Sequence, residues 1–273
     1  MLELFSYKFM QNAFFAGTLV AILCASVGLF VVLRKLSFLT DGIAHISLAG
    51  LAIAIVTKAN LLAVTLAVAL LSALGMNRLR EKLGLSGDAA IGIMFPVGLS
   101  IGIVILTLAK VTSIDLVSYL FGSILAIGET DMLLIVVFGI IILSVLFYLR
   151  KGLLYIAFDE DSARASGLSV SLLNYAFFAL AGATVVLAVR VAGVLLVSAL
   201  MLIPPSAALQ LKRGFKQTII FSCVFGVLSV WLGIFLSYYS AIPAGATIAL
   251  SSFLFFLAAY VVKPKKPAQA VKA

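Results

Sequence analysis

The sequence predicts an all-α, polytopic integral membrane protein, and three observations predict it. Of its 273 residues 64% are hydrophobic and only 11% charged, with a mean hydropathy of +1.28, whereas a soluble domain carries about a quarter charged residues. Apolar runs recur that reach or exceed the roughly 20 residues a helix needs to cross a bilayer. The runs are continuous and rich in Leu, Ala, Ile and Val, unlike the short alternating segments of a membrane β-barrel.

Taken in order, the chain opens with MLELFSYKFMQN. It lacks a basic n-region and a small-residue cleavage site, so the first span is expected to be retained. Spans are read at Asn12–Leu33, Gly42–Thr57, Asn60–Met76, Asp88–Ala109, Met132–Leu149, Val170–Val189, Val191–Leu211, Thr218–Tyr238 and Pro243–Val262. The total is eight or nine helices, in one membrane domain over 1–262. Basic clusters follow alternate spans: Arg34–Lys35, Arg78/Arg80/Lys82, Arg150–Lys151, Lys212/Arg213/Lys216 and Lys263/Lys265/Lys266. The positive-inside rule then puts the N-terminus outside and the C-terminus in the cytoplasm. It also accounts for the net charge of +9 without nucleic acid. The basic stretch 263–273 reads as a solvated cytoplasmic tail. Cys24 and Cys223 fall in apolar runs without a CxxC partner and read as small buried hydrophobes.

Four local features stand out between and within the spans. The outer segment Lys110–Asp131 holds SYLFGSILAI, too short to span, and reads as an interfacial or re-entrant helix. Its Asp115, Glu129 and Asp131 could enrich cations at an outer mouth or simply be solvated. Gly98-x-x-x-Gly102, just after Pro96, permits close helix approach. Pro204–Pro205 must break or kink the seventh span, since neither donates an N–H. Between the fifth and sixth spans, Asp159 suits an N-cap, Glu160 and Asp161 a first helical turn, and Gly167 a C-terminal stop. That segment, 158–168, reads either as an ordinary capped helix or as a docking element. In the docking reading Phe158, Ala163 and Leu168 make apolar contacts and Arg164 a charged one.

TDGIAHISLAG holds the chain's one histidine, His45, four residues after Asp41. Ionisable groups inside a span are expensive and mark functional positions, and at i and i+4 they leave the same helix face. A carboxylate with an imidazole suits Zn²⁺, Mn²⁺ or Fe²⁺ better than Ca²⁺ or Mg²⁺. Local chemistry leaves a second reading open, in which Asp41 caps the helix and His45 bonds a carbonyl. Two ligands are too few for a metal that takes four or more, so a twofold dimer would have to pool two pairs. No HExxH, GxSxG or GxxxxGK[ST] is present, so neither catalysis nor ATP hydrolysis is expected of this chain.

Leu36-Ser-Phe-Leu-Thr-Asp41-Gly-Ile-Ala-His45 with Leu48-Ala-Gly50 resembles the LSxxxDxxxHxxLPG signature of the permeases of zinc/manganese-type ABC importers. Tyr119-Leu-Phe-Gly-Ser123, Phe158-Asp159 through Gly167-Leu168, and Gly193 through Pro204 extend the resemblance over most of the chain. Departures are Ala49 in place of proline, Pro205 in place of alanine and Glu160 in place of proline; none removes a ligand position.

The resemblance implies a homodimeric permease of the vitamin-B12-importer-like (type II) kind in a bacterial inner or plasma membrane. Its partners would be two cytoplasmic ABC ATPase subunits and an extracytoplasmic metal-binding protein delivering near the SYLFGSI segment. Phe158, Asp159, Arg164 and Gly167 would belong to the coupling helix, Asp41 and His45 to the metal pathway, and Pro204 and Pro205 to a gating kink. No permanently bound cofactor is implied; the ion, zinc or manganese with iron also compatible, is cargo. The rival expectation is a stand-alone cation channel or proton-coupled metal transporter using the same pair.

Overall fold

A computed structural model describes residues 8–83, 87–109, 122, 128–194, 196–240 and 242–262. The helices are α1 Lys8–Leu33, α2 Phe38–Thr57, α3 Leu61–Leu83, α4 Gly87–Leu108 and α5 Glu129–Phe158. The short α6 Glu160–Ala165 follows, then α7 Val170–Ala192, α8 Val197–Gln210, α9 Phe215–Ser240 and α10 Ala244–Val262. Eight of them are long and apolar enough to cross a membrane, and α8 is the shorter apolar exception. The SYLFGSI segment apart from Gly122, together with Lys110, Asp115 and the 263–273 tail, lies outside the described residues.

Side-chain contacts fix which ends of the helices meet. Phe30 near the end of α1 packs edge-on against Phe215 at the start of α9, with ring centroids 5.6 Å apart. Trp231, midway along α9, donates to Thr18 of α1. The two helices are therefore antiparallel. Arg80 at the end of α3 meets Glu160 of α6 at 2.7 Å, and Asn174 at the start of α7 meets Arg34. These residues define one end of the bundle, the Arg34 end. At the opposite end Arg190, in the last turn of α7, pairs with Asp131 at 3.5 Å. Asp131 is thus one half of an ion pair rather than a free acidic lure.

This pairing settles how often the chain passes through the bundle. Helix α7 runs from the Arg34 end to the Arg190 end, yet Phe215 is back at the Arg34 end. The chain must return between them, and α8 is the helix that makes the return. Among the described residues, eight long helices and α8 therefore make nine passes through the bundle. The seventh span was expected over Val191–Leu211; Val191 and Ala192 instead close α7, Gly193 turns with φ +85°, and α8 begins at Val197.

Of the break or kink expected at Pro204–Pro205, the break does not form: helical backbone runs through both prolines to Gln210. Two missing N–H donors orphan the carbonyls four residues earlier, Leu200 and Met201. The Met201 oxygen lies directly over Gly28 of α1, where a Cβ would sit 1.9 Å from it. Close packing on a bare Cα takes the place of the missing hydrogen bond. Another boundary moves too: α5 does not stop at Leu149 but carries Arg150 and Lys151 on to Phe158.

The interior is shared by α1, α2 and α7, whose spans are the most buried. Phe30, Phe177, Phe178, Leu23 and Leu39 are fully enclosed. Helices α4, α5, α9 and α10 lie outside and keep apolar faces exposed, as lipid-facing spans do.

Candidate metal pathway and coupling surface

Helix α2 starts from the Arg34 end after a tight turn in which Lys35 takes a left-handed φ of +54°. Its N-cap is Ser37, which makes no side-chain cap bond. Asp41 lies inside the first turn, where the positive end of the helix dipole favours a carboxylate. The reading of Asp41 as a cap is thereby excluded. At about 1.5 Å per residue, Asp41 stands roughly 5 Å and His45 roughly 10 Å from the start of a helix about 30 Å long. The pair therefore sits in the third of α2 nearest the Arg34 end.

Both side chains are half-buried and open into a cleft of about 470 Å³ between α2 and α4, lined also by Phe38, Gly42, Ile91, Gly92 and Phe95. Phe95 meets the His45 imidazole edge-to-face, with centroids 4.6 Å apart. Neither Asp41 nor His45 hydrogen-bonds to a described residue, so the expected alternative of a carbonyl-bonded His45 is not what forms. Among the described residues no third His, Cys, Asp or Glu joins them. The cleft therefore presents one acceptor carboxylate and one imidazole on otherwise apolar walls.

The closeness of α4 to α2 comes from the Gly98-x-x-x-Gly102 spacing. A Cβ on Gly98 would fall 2.2 Å from Ile46 Cγ1 and 3.1 Å from its Cα; one on Gly102 would lie 3.0 Å from the Ala49 nitrogen. Only bare backbone lets the helices approach so closely, and the approach sets Phe95, one turn earlier, over His45. Beyond the contact, Ile93, Val97, Ile101, Val104 and Leu108 form an exposed apolar stripe on α4. The sequence reading did not single out Phe95 or Phe38.

At the Arg34 end α6 is built as the sequence implied. Asp159 accepts from the Asp161 and Ser162 backbone N–H groups at 3.0 Å. The Ser162 hydroxyl bond together with these holds the exposed Asp159 carboxyl below its ordinary range. Gly167, at φ +84°, donates to the Arg164 carbonyl, and Leu168 donates to that of Ala163. This is the left-handed stop that glycine makes cheaply. Phe158 is 78% exposed and the Arg164 side chain 69%, so both are free to meet a partner. Ala163 is not: it is fully buried against Ile156 and Val170, so the expected partner contact through Ala163 does not form, while Leu168 packs on the same cluster and stays partly exposed.

Beneath α6 lies a polar cluster that the sequence reading missed. Glu160 accepts from Arg80 at 2.7 Å and from Asn174 at 3.4 Å, with Arg164 3.7 Å away. Asn174 in turn accepts from Arg34, whose guanidinium stacks 4.7 Å over Phe177. Burial opposes the charge on Glu160, but Arg80, Asn174 and Arg34 outweigh it and its carboxyl titrates below the ordinary value. Burial and the nearby Arg80 charge pull Arg34 down to about 10, against the attraction of Glu160.

Comparison with known proteins agrees over nearly the whole length. The chain is 31% identical over 263 residues to the manganese transport system membrane protein MntC of Listeria monocytogenes, covering 96% of this chain and 94% of that one. It is 30% identical to the MntC of Halalkalibacterium halodurans, covering 97% and 90%. The solved structure PsaBC from Streptococcus pneumoniae in complex with Fab superposes with a TM-score of 0.85 at 32% identity, over 96% of this chain and 94% of that chain. An inward-facing metal-chelate type ABC transporter shares the fold with a TM-score of 0.66 at 17% identity, over 93% and 86%. The model of the ABC 3 transport family matches residues 6–263, and the chain therefore belongs to that family, as a transport permease of an ABC importer rather than an enzyme.

Proposed function

We propose that this permease admits a divalent transition metal ion to the cytoplasm, manganese or zinc with iron also compatible, along the Asp41/His45 cleft. The observation that carries the reading is the pair itself, half-buried and without hydrogen bonds to described residues in a cleft with no other ligating side chain. An unsatisfied carboxylate and imidazole are costly in a span unless a ligand or partner completes them. Relatives named as manganese transport proteins support a metal cargo.

One chain supplies two ligands where a metal takes about four or more, so two copies related by a twofold axis pool two aspartates and two histidines. The exposed α4 stripe beside the cleft suits such an interface, or lipid. In this arrangement, of the type II kind, two ATPase subunits dock on α6 at the cytoplasmic Arg34 end. An extracytoplasmic metal-binding protein delivers to the Arg190 end, and the C-terminus is cytoplasmic. ATP-driven movement of α6 opens and closes the cleft, and the ion leaves because a transport site binds no more tightly than release allows.

The test is metal accumulation by cells carrying the whole transporter with Asp41→Asn or His45→Gln. Both should abolish uptake while membrane expression and ATPase association persist. Normal uptake in both variants would sink the site. Competition among manganese, zinc and iron in the unaltered transporter assigns the ion.

A further inference from the structure

Helix α6 does not stand alone on the surface, and its attachment leads towards the metal cleft. Glu160, in its first turn, is bound by Arg80 from the end of α3 and by Asn174 from the start of α7. Asn174 is 1% exposed, and its carbonyl oxygen accepts from Arg34. Arg34 stands between the last residue of α1 and the start of α2, seven residues before Asp41. A chain of side-chain contacts thus joins α6 to the corner from which the Asp41/His45 helix departs.

Two features mark this chain as a joint with more than one setting. Arg34 Nη1 and Arg80 Nη1 are both buried without a hydrogen-bond partner, so each arginine holds a donor in reserve. Glu160, with Arg80, Asn174 and Arg164 around it, is the carboxylate both arginines can reach, one directly and one through Asn174. A small displacement of α6 would let Glu160 trade the Arg80 donor for the free Arg34 donor, so that Arg80 rather than Arg34 lacks the direct carboxylate contact. Discrete alternative pairings of this kind carry coupling between sites, where continuous deformation of packed helices does not.

We propose that Glu160, Asn174 and Arg34 form the linkage by which displacement of α6 repositions the start of α2, and with it Asp41 and His45. They are positioning residues, distinct from the metal pair and from the exposed face of α6. The proposal rests on the reading of α6 as the ATPase-docking helix.

The experiment uses the complete transporter, with its ATPase and delivery protein, reconstituted in liposomes and supplied with Mn²⁺. Uptake, ATP hydrolysis and subunit association are measured together. Asn174→Leu fills the same volume but removes the relay. The expected result is an assembled complex that still hydrolyses ATP, with uptake per ATP lowered roughly tenfold, within the usual span of coupling between sites. Arg34→Lys keeps the charge but not the planar fork that reaches Asn174 and stacks on Phe177, and should uncouple in the same way. The pair Arg80→Glu with Glu160→Arg keeps a direct ion pair and should recover more uptake per ATP than either single change. Unchanged uptake per ATP in both Asn174→Leu and Arg34→Lys overturns the linkage. Loss of assembly or of ATP hydrolysis in step with uptake overturns it too, because a merely structural role would produce that pattern. If the unaltered transporter takes up Mn²⁺ without ATP, the docking reading fails, and the linkage with it; intact ATP-driven uptake with no variant effect removes the linkage alone.

Discussion

Three glycines on α4 offer a graded test of how the cleft is held. At Gly98 an added methyl would lie 2.2 Å from Ile46 Cγ1, 2.9 Å from its Cβ and 3.1 Å from its Cα. The Cγ1 can swing away, but Cβ and Cα move only with α2 itself. Carbon atoms settle at about 3.5–4.0 Å, so α4 must retreat by roughly half an ångström or more. Overpacking on that scale costs about 1–3 kcal/mol. At Gly102 the nearest atoms are 3.0–3.2 Å away and all backbone, a smaller conflict that has no flexible partner to absorb it. Gly92, in the cleft wall, has nothing within 4 Å of a new Cβ, and alanine there gains about 0.5–1 kcal/mol of helix propensity. Thermal unfolding of the purified permease, at about 2–4 °C per kcal/mol for a chain of this size, should order the variants. Gly92→Ala should match or exceed the parent, Gly102→Ala fall slightly, and Gly98→Ala fall furthest. Uptake should follow, because a retreating α4 takes Phe95 off His45. Gly98→Ala as stable and active as Gly92→Ala would refute the account of the α2–α4 contact.

Two further outcomes follow from the Arg34 end. The Glu160 carboxyl is held below its ordinary 4.5, so its anchoring of α6 is fully present above that value and is lost as pH falls through the lower, folded one. Hydrogen exchange of the 160–165 amides should be flat, after correction for intrinsic rates, down to pH 4.5 and lose protection only below that; Glu160→Gln should reduce the acid-dependent step, leaving the part that belongs to the Asp159 cap. Phe158, exposed and one residue before the α6 cap, should tolerate Phe158→Asp without loss of permease stability while ATPase co-purification falls. An unchanged complex would exclude Phe158 from the docking face.

Much of the fold was readable because the bilayer imposes one rule: backbone polar groups are satisfied within helices. The runs from Asn12 to Val262 betrayed their helices by apolar length alone. What failed was boundary placement, for a reason visible in α5. Arg150 and Lys151 read as an end because charge leaves the hydrocarbon, yet the helix continues through both to Phe158, with Arg150 stacked 3.9 Å from the Phe147 ring. Hydropathy reports where lipid ends, and helical hydrogen bonding has no reason to stop there. At Pro204 and Pro205 the helix likewise continues where a break was one of the two expected outcomes. The missing N–H groups were legible, but the bare Gly28 on a helix more than 170 residues earlier, which receives the freed Met201 carbonyl, was not.

The candidate pair was legible because polarity is rare in these spans, and rarity needs no tertiary information. Phe95 and Asn174 carried no such mark: one is an aromatic among twenty phenylalanines, the other a single amide near the start of a helix. Their roles arise from packing, Phe95 through the Gly98 contact and Asn174 through helices α1, α3 and α6 meeting at α7. That difference bears on how the permease works. In the proposed metal pathway Asp41 and His45 would supply affinity and little leverage, because neither hydrogen-bonds through its side chain to a described residue. On that proposal leverage would come from α4 above the imidazole and from the Arg34 corner below the carboxylate. A metal site whose ligands are individually unrestrained, but whose two walls are governed by separate helices, can be assembled and dismantled without breaking any bond of its own.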